Sequence, residues 1–146
     1  MKMQLKLMPL LFGVSFVTLM GCRKDDHSAA ITIKGTNLAI PKPGTLTGTF
    51  TATGAFKTSG TALMIVVPVG TDSIHCDYTM TAAEGIFTLG LDCEKPPKMS
   101  GAWKVTGGTG RYKNLQGNGS LIMMFPPNVS PGALSEEILT GVVWKK

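Results

Sequence analysis

Strict alternation of apolar and polar residues is the feature that most limits how this chain can fold. From residue 45 to 56 every odd position through Thr53 is threonine, and the even positions hold leucine, glycine, phenylalanine or alanine. Side chains alternate between the two faces of a β-strand, so this pattern predicts one long strand with an apolar face and a threonine face. The 3.6-residue periodicity of amphipathic helices is almost absent. The sequence therefore predicts an all-β protein.

Other runs predict the remaining strands, at residues 62–67, 74–80, 86–93, 100–106, 121–125 and 137–144. The run 62–67 is continuously apolar, which predicts a strand buried on both faces or lying beneath a cover. Residues 134–139 are the only stretch that fits a helical turn. Seven or eight short strands separated by glycine and proline predict a single antiparallel β-barrel, with a β-sandwich as the alternative. Closure into a barrel would leave no exposed sheet edge.

Two cysteines lie in neighbouring predicted strands, on their apolar faces. If Glu84 and Gly85 form a two-residue hairpin loop, Cys76 lies directly opposite Cys93, and a disulfide is predicted. Closing a loop of this size would stabilise the fold by roughly 3 kcal/mol. A one-residue bulge at Gly85 would shift this register. The alternatives are two buried free thiols or a metal pair.

Metal ligands are scarce in this sequence. It has no C-x-x-C motif, and its two histidines are His27 and His75. Structural zinc sites draw four ligands from closely spaced cysteines and histidines. We therefore expect no metal and no cofactor.

His75 and Asp77 form the pair that most resembles catalytic machinery. They are two residues apart on a predicted strand, so they share a face, and Asp92 is expected near them across the hairpin. An imidazole beside a carboxylate can act as a general base. The same pairing also occurs on solvated strand faces, and this second interpretation is the one we favour.

One glycine-rich segment, residues 107–121 (GGTGRYKNLQGNGSL), is the most specific motif inside the domain. Its glycines permit a tight turn, and Tyr112 with Leu115 is expected to close one end of a barrel. Arg111 would bind an anionic ligand at a barrel mouth or cap a surface loop. Aromatic residues would line an apolar cavity or fill the core: Trp103, Tyr78, Phe50 and Phe56.

The same segment resembles the G-G-T-G-[RK]-[YF]-x-x-x-x-G-x-G element of allene-oxide-cyclase-like and dirigent-like β-barrels. The strands at 101–106 and 48–50 also fit, so the resemblance covers roughly residues 44–144. It implies a barrel fold. None of the family's catalytic residues has a matching motif here, so the resemblance assigns none.

The first 22 residues have the parts of a secretory signal. A short basic region with Lys2 and Lys6 precedes an apolar run at 7–20, which is too short for a spanning helix of about 20 residues. Residues 19–22 (LMGC) resemble the lipobox of bacterial lipoproteins. This resemblance implies cleavage before Cys22 and lipidation of Cys22, and the alternative is an ordinary signal peptide of a soluble secreted protein.

The four residues after the cysteine, 23–26 (RKDD), resemble the surface-export signal of certain Gram-negative lipoproteins. The alternative is a solvated polar tether. We therefore expect a signal peptide at 1–21, a lipidated tether at 22–30 and a barrel domain at 31–146. The expected location is the bacterial cell envelope, at the outer membrane and exposed on its surface.

The number and distribution of charged residues argue against nucleic-acid binding. The full chain has 14 basic and 9 acidic residues, and removal of Lys2 and Lys6 leaves 12 basic residues and a net charge of +3. The basic residues are scattered, whereas nucleic-acid binding requires a basic stripe. We expect a membrane and a small apolar ligand as partners, and no nucleic acid. The expected role is a binding or structural module, and the alternative is an enzyme that uses a barrel cavity.

Overall fold

The structure is a computed structural model and describes residues 27–95 and 99–146. The predicted signal peptide, the lipidated Cys22 and the export signal at 23–26 lie outside the described residues. The same is true of residues 96–98 in the predicted loop after Cys93.

Eight antiparallel strands form a closed barrel in which each strand pairs with its neighbour in sequence and β1 pairs with β8. The barrel prediction is confirmed, and the sandwich alternative is wrong. The strands are β1 (Ala29–Lys42), β2 (Thr45–Gly54), β3 (Thr58–Val69), β4 (Ser73–Ala82), β5 (Gly85–Glu94), β6 (Ser100–Gly108), β7 (Leu115–Met124) and β8 (Ser135–Lys145).

The first strand, β1, has no counterpart among the predicted strands. It begins at Ala29, two residues before the predicted domain boundary. Its inward face carries Ile31 and Ile33 and then continues with Gly35 and Asn37. The glycine and the amide break the apolar pattern by which a strand is detected from sequence.

The alternation in β2 sets the inside and the outside of the barrel as predicted. Phe50 and Ala52 are buried, and Thr49, Thr51 and Thr53 face solvent, whereas Thr45 at the start of the strand is buried. In β3 the prediction of burial on both faces is wrong, because Leu63, Ile65 and Val67 are 38%, 43% and 43% exposed. A single closed sheet has only one interior, and no described element covers the outer face of β3.

The hairpin register of β4 and β5 also differs from the prediction. Ala82 pairs with Gly85, so the loop is residues 83–84, and Cys76 lies opposite Leu91 while Cys93 lies opposite Ile74. Gly85 belongs to the strand, where the backbone carbonyl of Thr109 packs against it and would collide with any β-carbon. The expected pairing of Cys76 with Cys93 is therefore wrong, although both residues face the interior.

The two ends of the barrel differ. At one end, called the closed end here, a 3₁₀ turn (Gly110–Tyr112) folds over the interior. Tyr112 and Leu115 are buried there, as predicted, and the Tyr112 ring packs 4.9 Å from that of Phe87 and 5.3 Å from that of Phe56. Residues 134–139, the only stretch that fitted a helical turn, contain no such turn, because β8 begins at Ser135.

The opposite end, called the open end, is formed by the connections β1–β2, β3–β4, β5–β6 and β7–β8. The start of β1 and the end of β8 both lie at the closed end, since strands alternate in direction. Any chain that precedes β1 therefore joins the barrel at its closed end.

Candidate functional site

An apolar cavity of about 300 Å³ lies inside the open end of the barrel. Its walls come from six strands and from the segments beside Met99 and Leu134. The exposed side chains of Ile40, Phe125 and Leu134 lie at its rim. The residues that line it are Ile40, Leu46, Met64, Val66, Ile74, Cys76, Met99, Met123, Phe125, Leu134 and Ser135.

The size and composition of this cavity suit a small apolar molecule. Small-molecule sites are concave, mostly apolar, and begin at about 300 Å³. Methionine side chains are flexible and polarisable, so they adapt to ligands of different shape. Ser135 contributes a hydroxyl to the lining.

A buried polar network begins at Ser135 and leads deeper into the barrel. Asn37 Nδ2 donates to Ser135 Oγ and to Glu137 Oε2, both at 2.9 Å. The Tyr78 hydroxyl donates a hydrogen bond to Glu137 Oε1. Glu137 is the next inward-facing residue after Ser135 on β8, and Tyr78 lies directly opposite the cavity-lining Met64. The network therefore adjoins the inner end of the cavity.

Gly35 provides the space for the carboxyl–phenol pair. It lies opposite Glu137 in the β1–β8 pairing, and a β-carbon at this position would overlap both Glu137 Oε1 and the Tyr78 hydroxyl. Glycine is therefore the residue that lets these two side chains meet beside the β1 backbone.

Burial controls the ionisation of this network. The Glu137 side chain is fully buried, and its pKa is raised to about 7, first by desolvation. The hydrogen bonds from Tyr78 and Asn37 oppose that rise because they stabilise the carboxylate, and the charge of Glu136 adds slightly to it. The pKa of Tyr78 is raised well above its usual value, first by burial and then by the charge of Glu137. Tyr78 thus remains a hydrogen-bond donor, while Glu137 titrates near neutrality.

One acceptor of the network has no partner. Asn37 Oδ1 is fully buried and, among the described side chains, is the one buried polar atom without a hydrogen bond. An unsatisfied buried acceptor costs about 1–3 kcal/mol.

The two cysteines are free and buried. The predicted disulfide is absent from the structure, because the observed register sets the cysteines diagonally across β4 and β5 rather than opposite each other. Desolvation raises the pKa of Cys76 to about 12 and that of Cys93 to about 11. Cys76 lines the cavity, whereas Cys93 does not belong to that lining.

The predicted polar cluster does not form one site, because its members lie in separate places. His75, Asp77 and Asp92 meet on the outer face of the barrel, with His75 Nδ1 at 2.7 Å from Asp92 Oδ1 and His75 Nε2 at 3.3 Å from Asp77 Oδ1. These bonds, that to Asp92 above all, raise the pKa of His75. The barrel wall separates this group from the cavity.

Arg111 and Tyr112 lie at the closed end. Arg111 is exposed and its guanidinium is 4.0 Å from the Glu84 carboxylate, so it belongs to a surface loop. Tyr112 is a buried plug whose hydroxyl is 3.4 Å from Glu84.

Four aromatic residues were predicted to line a cavity or to fill the core. Three of them, Trp103, Tyr78 and Phe50, are buried, and Phe56 packs against the buried core.

The sequence analysis singled out Tyr78 and Cys76 but missed the other residues that form the site. Glu137 shares the inward face of β8 with Leu139 and Val143, and a carboxylate among apolar neighbours at period two was the available signal. Asn37 gave the corresponding signal on β1, where it follows Ile31 and Ile33. The cavity methionines gave no signal, because methionine is common in ordinary cores.

Two further classes of feature are absent from the described residues. Within residues 27–95 and 99–146, no group of three or more His, Cys, Asp or Glu side chains could hold a metal ion. The same part of the chain contains no helix with the length and hydropathy of a membrane span.

Comparison with known proteins identifies no family. No family model matches the sequence, and no curated protein matches it. Among solved structures, the fold is similar to that of a pterocarpan synthase dirigent protein, GePTS1, with 14% sequence identity and a TM-score of 0.42. The similarity covers 81% of this chain and 90% of that one. Similarity at this level carries no inference about a site or an activity.

Proposed function

We propose that this protein is a lipid-anchored component of the bacterial cell envelope that binds a small apolar ligand inside its barrel. The observation that carries the binding role is the apolar cavity of about 300 Å³ at the open end. A barrel filled by its own side chains would serve only as a scaffold, whereas this interior leaves a lined space with an exposed apolar rim.

The lining sets the chemistry of the proposed ligand. Ten of the eleven lining residues are apolar or sulfur-containing, and no charged side chain lies among them. Burying a charged group without a partner is strongly unfavourable. The ligand is therefore uncharged, and a polar atom at its inner end would meet the Ser135 hydroxyl.

The position of the proposed anchor is compatible with access to the cavity. Cys22 precedes β1, which begins at the closed end, so the chain that carries the proposed anchor joins the barrel at the end opposite the cavity mouth. Several acyl chains on one cysteine would hold the protein firmly at a membrane, because each buried CH₂ contributes about 0.8 kcal/mol. The mouth then opens away from the anchored end.

Ligand binding is tested with a matched pair of substitutions on β3. Val66 faces the cavity, and its neighbour Val67 faces solvent. We expect the neutral fluorophore N-phenyl-1-naphthylamine to bind the wild-type protein and the Val67→Trp variant, and to lose at least about tenfold in affinity for Val66→Trp, whose indole fills the mouth. Absence of binding to the wild type, or equal binding to both variants, contradicts the proposal.

The anchor is tested by Cys22→Ser, with Cys76→Ser as the control. We expect intact mass measurement of the membrane-purified wild type to give the chain from Cys22 plus acyl groups. Cys22→Ser should leave the membrane fraction, and Cys76→Ser should remain in it. Unchanged membrane retention of Cys22→Ser contradicts lipidation. Surface display is tested by protease accessibility in intact cells, and protection from the protease would exclude it.

A second candidate function, an enzyme that uses the cavity, is favoured by one observation. Glu137, with its pKa near 7, and Tyr78 adjoin the inner end of the cavity, and carboxyls of this kind serve as general acids or bases. The test is incubation with an apolar extract of the envelope, followed by mass spectrometry. Products formed by the wild type and lost in Glu137→Gln, which still binds the fluorophore, would support an enzyme, and unchanged extracts would exclude this candidate.

A further inference from the structure

A buried amide at the inner end of the cavity uses only its donor side. Asn37 is fully buried, and its Nδ2 donates to Ser135 Oγ and to Glu137 Oε2. Its Oδ1 is also buried and accepts from no described residue. Buried side-chain oxygens nearly always have a partner, so this atom requires an explanation. A bound molecule that brings its own hydrogen-bond donor would provide one.

The positions of the two acceptors set the direction of the free oxygen. Ser135 and Glu137 both belong to β8, so the NH₂ side of the planar amide faces β8, and Oδ1 points away from it, towards β2 and the interior. The residue of β2 that pairs with Asn37 is Gly48, which has no side chain to offer. Leu46, two residues away on the same face of β2, lines the cavity. Oδ1 therefore lies at the inner border of the cavity.

A second polar atom of the cavity lies close to this oxygen. Ser135 belongs to the lining, and its Oγ is 2.9 Å from Asn37 Nδ2. The bond lengths of an amide then place Ser135 Oγ and Asn37 Oδ1 at most about 5 Å apart. One hydroxyl oxygen can bond to both atoms at this separation, because each O–H···O bond spans about 2.7–2.8 Å. Ser135 has a hydrogen to donate to such an oxygen, whereas Asn37 Oδ1 can only accept.

The rest of the cavity wall is apolar. The ten other lining residues carry hydrocarbon or sulfur-containing side chains. The Glu137 carboxylate, which lies deeper, already accepts from Asn37 and Tyr78. A molecule in the cavity therefore meets one polar point, at the inner end, and apolar surroundings elsewhere.

We propose that the ligand of this cavity is an apolar alcohol, with an uncharged hydrocarbon body and one free hydroxyl group at its inner end. The hydroxyl accepts from Ser135 Oγ and donates to Asn37 Oδ1, which supplies the bond that the buried network lacks. This inference rests on the proposed function, because it names the class of molecule that the cavity binds.

The same geometry disfavours two related classes of ligand. An ether can accept from Ser135 but has no hydrogen for Asn37 Oδ1, which then stays unpaired in a site closed to water. A carboxylate also lacks that hydrogen, and it would bring a second negative charge close to Glu137. Sites with buried groups that pair with a ligand hydroxyl reject analogues without it more strongly than apolar pockets reject a change of one methylene.

The test compares two isomers, 1-nonanol and methyl octyl ether, which differ in whether the oxygen carries a hydrogen. Each competes with N-phenyl-1-naphthylamine for the full chain at pH 8, above the Glu137 pKa of about 7, so that the carboxylate accepts from Asn37. Every chain carries Cys22→Ser, so that neither acyl groups nor detergent take up the probes. We expect nonanol to bind at least about tenfold more tightly than the ether, and nonanoate to bind weakest.

Two variants and one matched control locate this preference. Asn37→Leu removes Oδ1, and Glu137→Gln offers it an amide hydrogen, so the preference for nonanol should disappear in both. Asn118→Leu, on the outer face of β7, should keep it. Circular dichroism identifies a variant that fails to fold, and Glu137→Gln retains the shape of the site should Asn37→Leu not fold.

The outcomes separate this inference from the proposed function. Fluorophore binding with equal affinity for nonanol and the ether would overturn the inference and leave the proposed function intact. A chain that binds no fluorophore would contradict the proposed function and this inference with it. A preference for nonanol that survives in both variants would also overturn the inference, because the hydroxyl would then be recognised at another group.

Discussion

Replacement of the buried carboxyl by its neutral isostere is the perturbation with the clearest expected result. In Glu137→Gln the amide oxygen can still accept from the Tyr78 hydroxyl, and the Asn37 amide can rotate so that its unpartnered Oδ1 accepts from the new NH₂ group. The shape and the packing are retained. What the substitution removes is a titratable group whose pKa differs between the folded and unfolded states.

The sign and size of the effect follow from that difference. The pKa of Glu137 rises from 4.5 to about 7 on folding. Below pH 4.5 both states hold the proton, and the stabilisation is fully present. As the pH rises from 4.5 to 7 the unfolded chain releases the proton and the folded protein keeps it, so the free energy of unfolding falls. The total loss is about 3 kcal/mol by pH 8.

The assay is urea unfolding of the wild type and Glu137→Gln at several values of pH from 4.5 to 8. We expect the wild type to lose about 3 kcal/mol relative to the variant across this range. His75, whose pKa is also raised, titrates in both proteins and cancels in the difference. Parallel profiles would refute the argument that burial shifts the Glu137 pKa.

Three further results are expected. Gly35→Ala should lower the free energy of unfolding by about 1–3 kcal/mol, because its methyl group overlaps the carboxyl–phenol pair, and an unchanged melting temperature would contradict that packing. Tyr112→Ala should cost about 3–5 kcal/mol, whereas Tyr112→Phe should keep most of the stability because the hydroxyl lies 3.4 Å from Glu84, and equal losses would show that the hydroxyl matters more than the ring. The thiols of Cys76 and Cys93 should be unreactive towards a disulfide reagent at pH 8 in the folded protein, and both should react in urea. If neither cysteine reacts in urea, the two form a disulfide.

More of the fold than of the candidate site could be predicted from the sequence. The threonine alternation in β2 and the glycine-rich segment at the closed end were sufficient for a barrel and for the Tyr112 plug, because period-two patterning reports directly which side of a sheet is buried. The same rule failed for β3, where an unbroken apolar run has no visible inside. It also failed for β1, where Gly35 and Asn37 interrupt the apolar face.

The hairpin register shows why pairing is harder to predict than patterning. Sequence favoured Gly85 as a loop residue, but the Thr109 carbonyl, 24 residues away, requires a glycine within β5. This contact shifts the pairing by two positions, so the side chains keep their faces while Cys76 and Cys93 lose their direct opposition. Nothing local to the hairpin carries that information.

The sequence by itself determined the class of fold and the inward direction of most strand residues, because these depend on local patterns of polarity. The membrane anchor at Cys22, inferred from an equally local pattern, stays a prediction. Only the tertiary structure decided which inward residues meet. Glu137 and Tyr78 are 59 residues apart, and Asn37 and Glu137 are 100 apart. Barrel closure brings them together beside Gly35, and burial then raises the pKa of the carboxyl. The cavity has the same origin, because its lining residues become neighbours only when β1 pairs with β8.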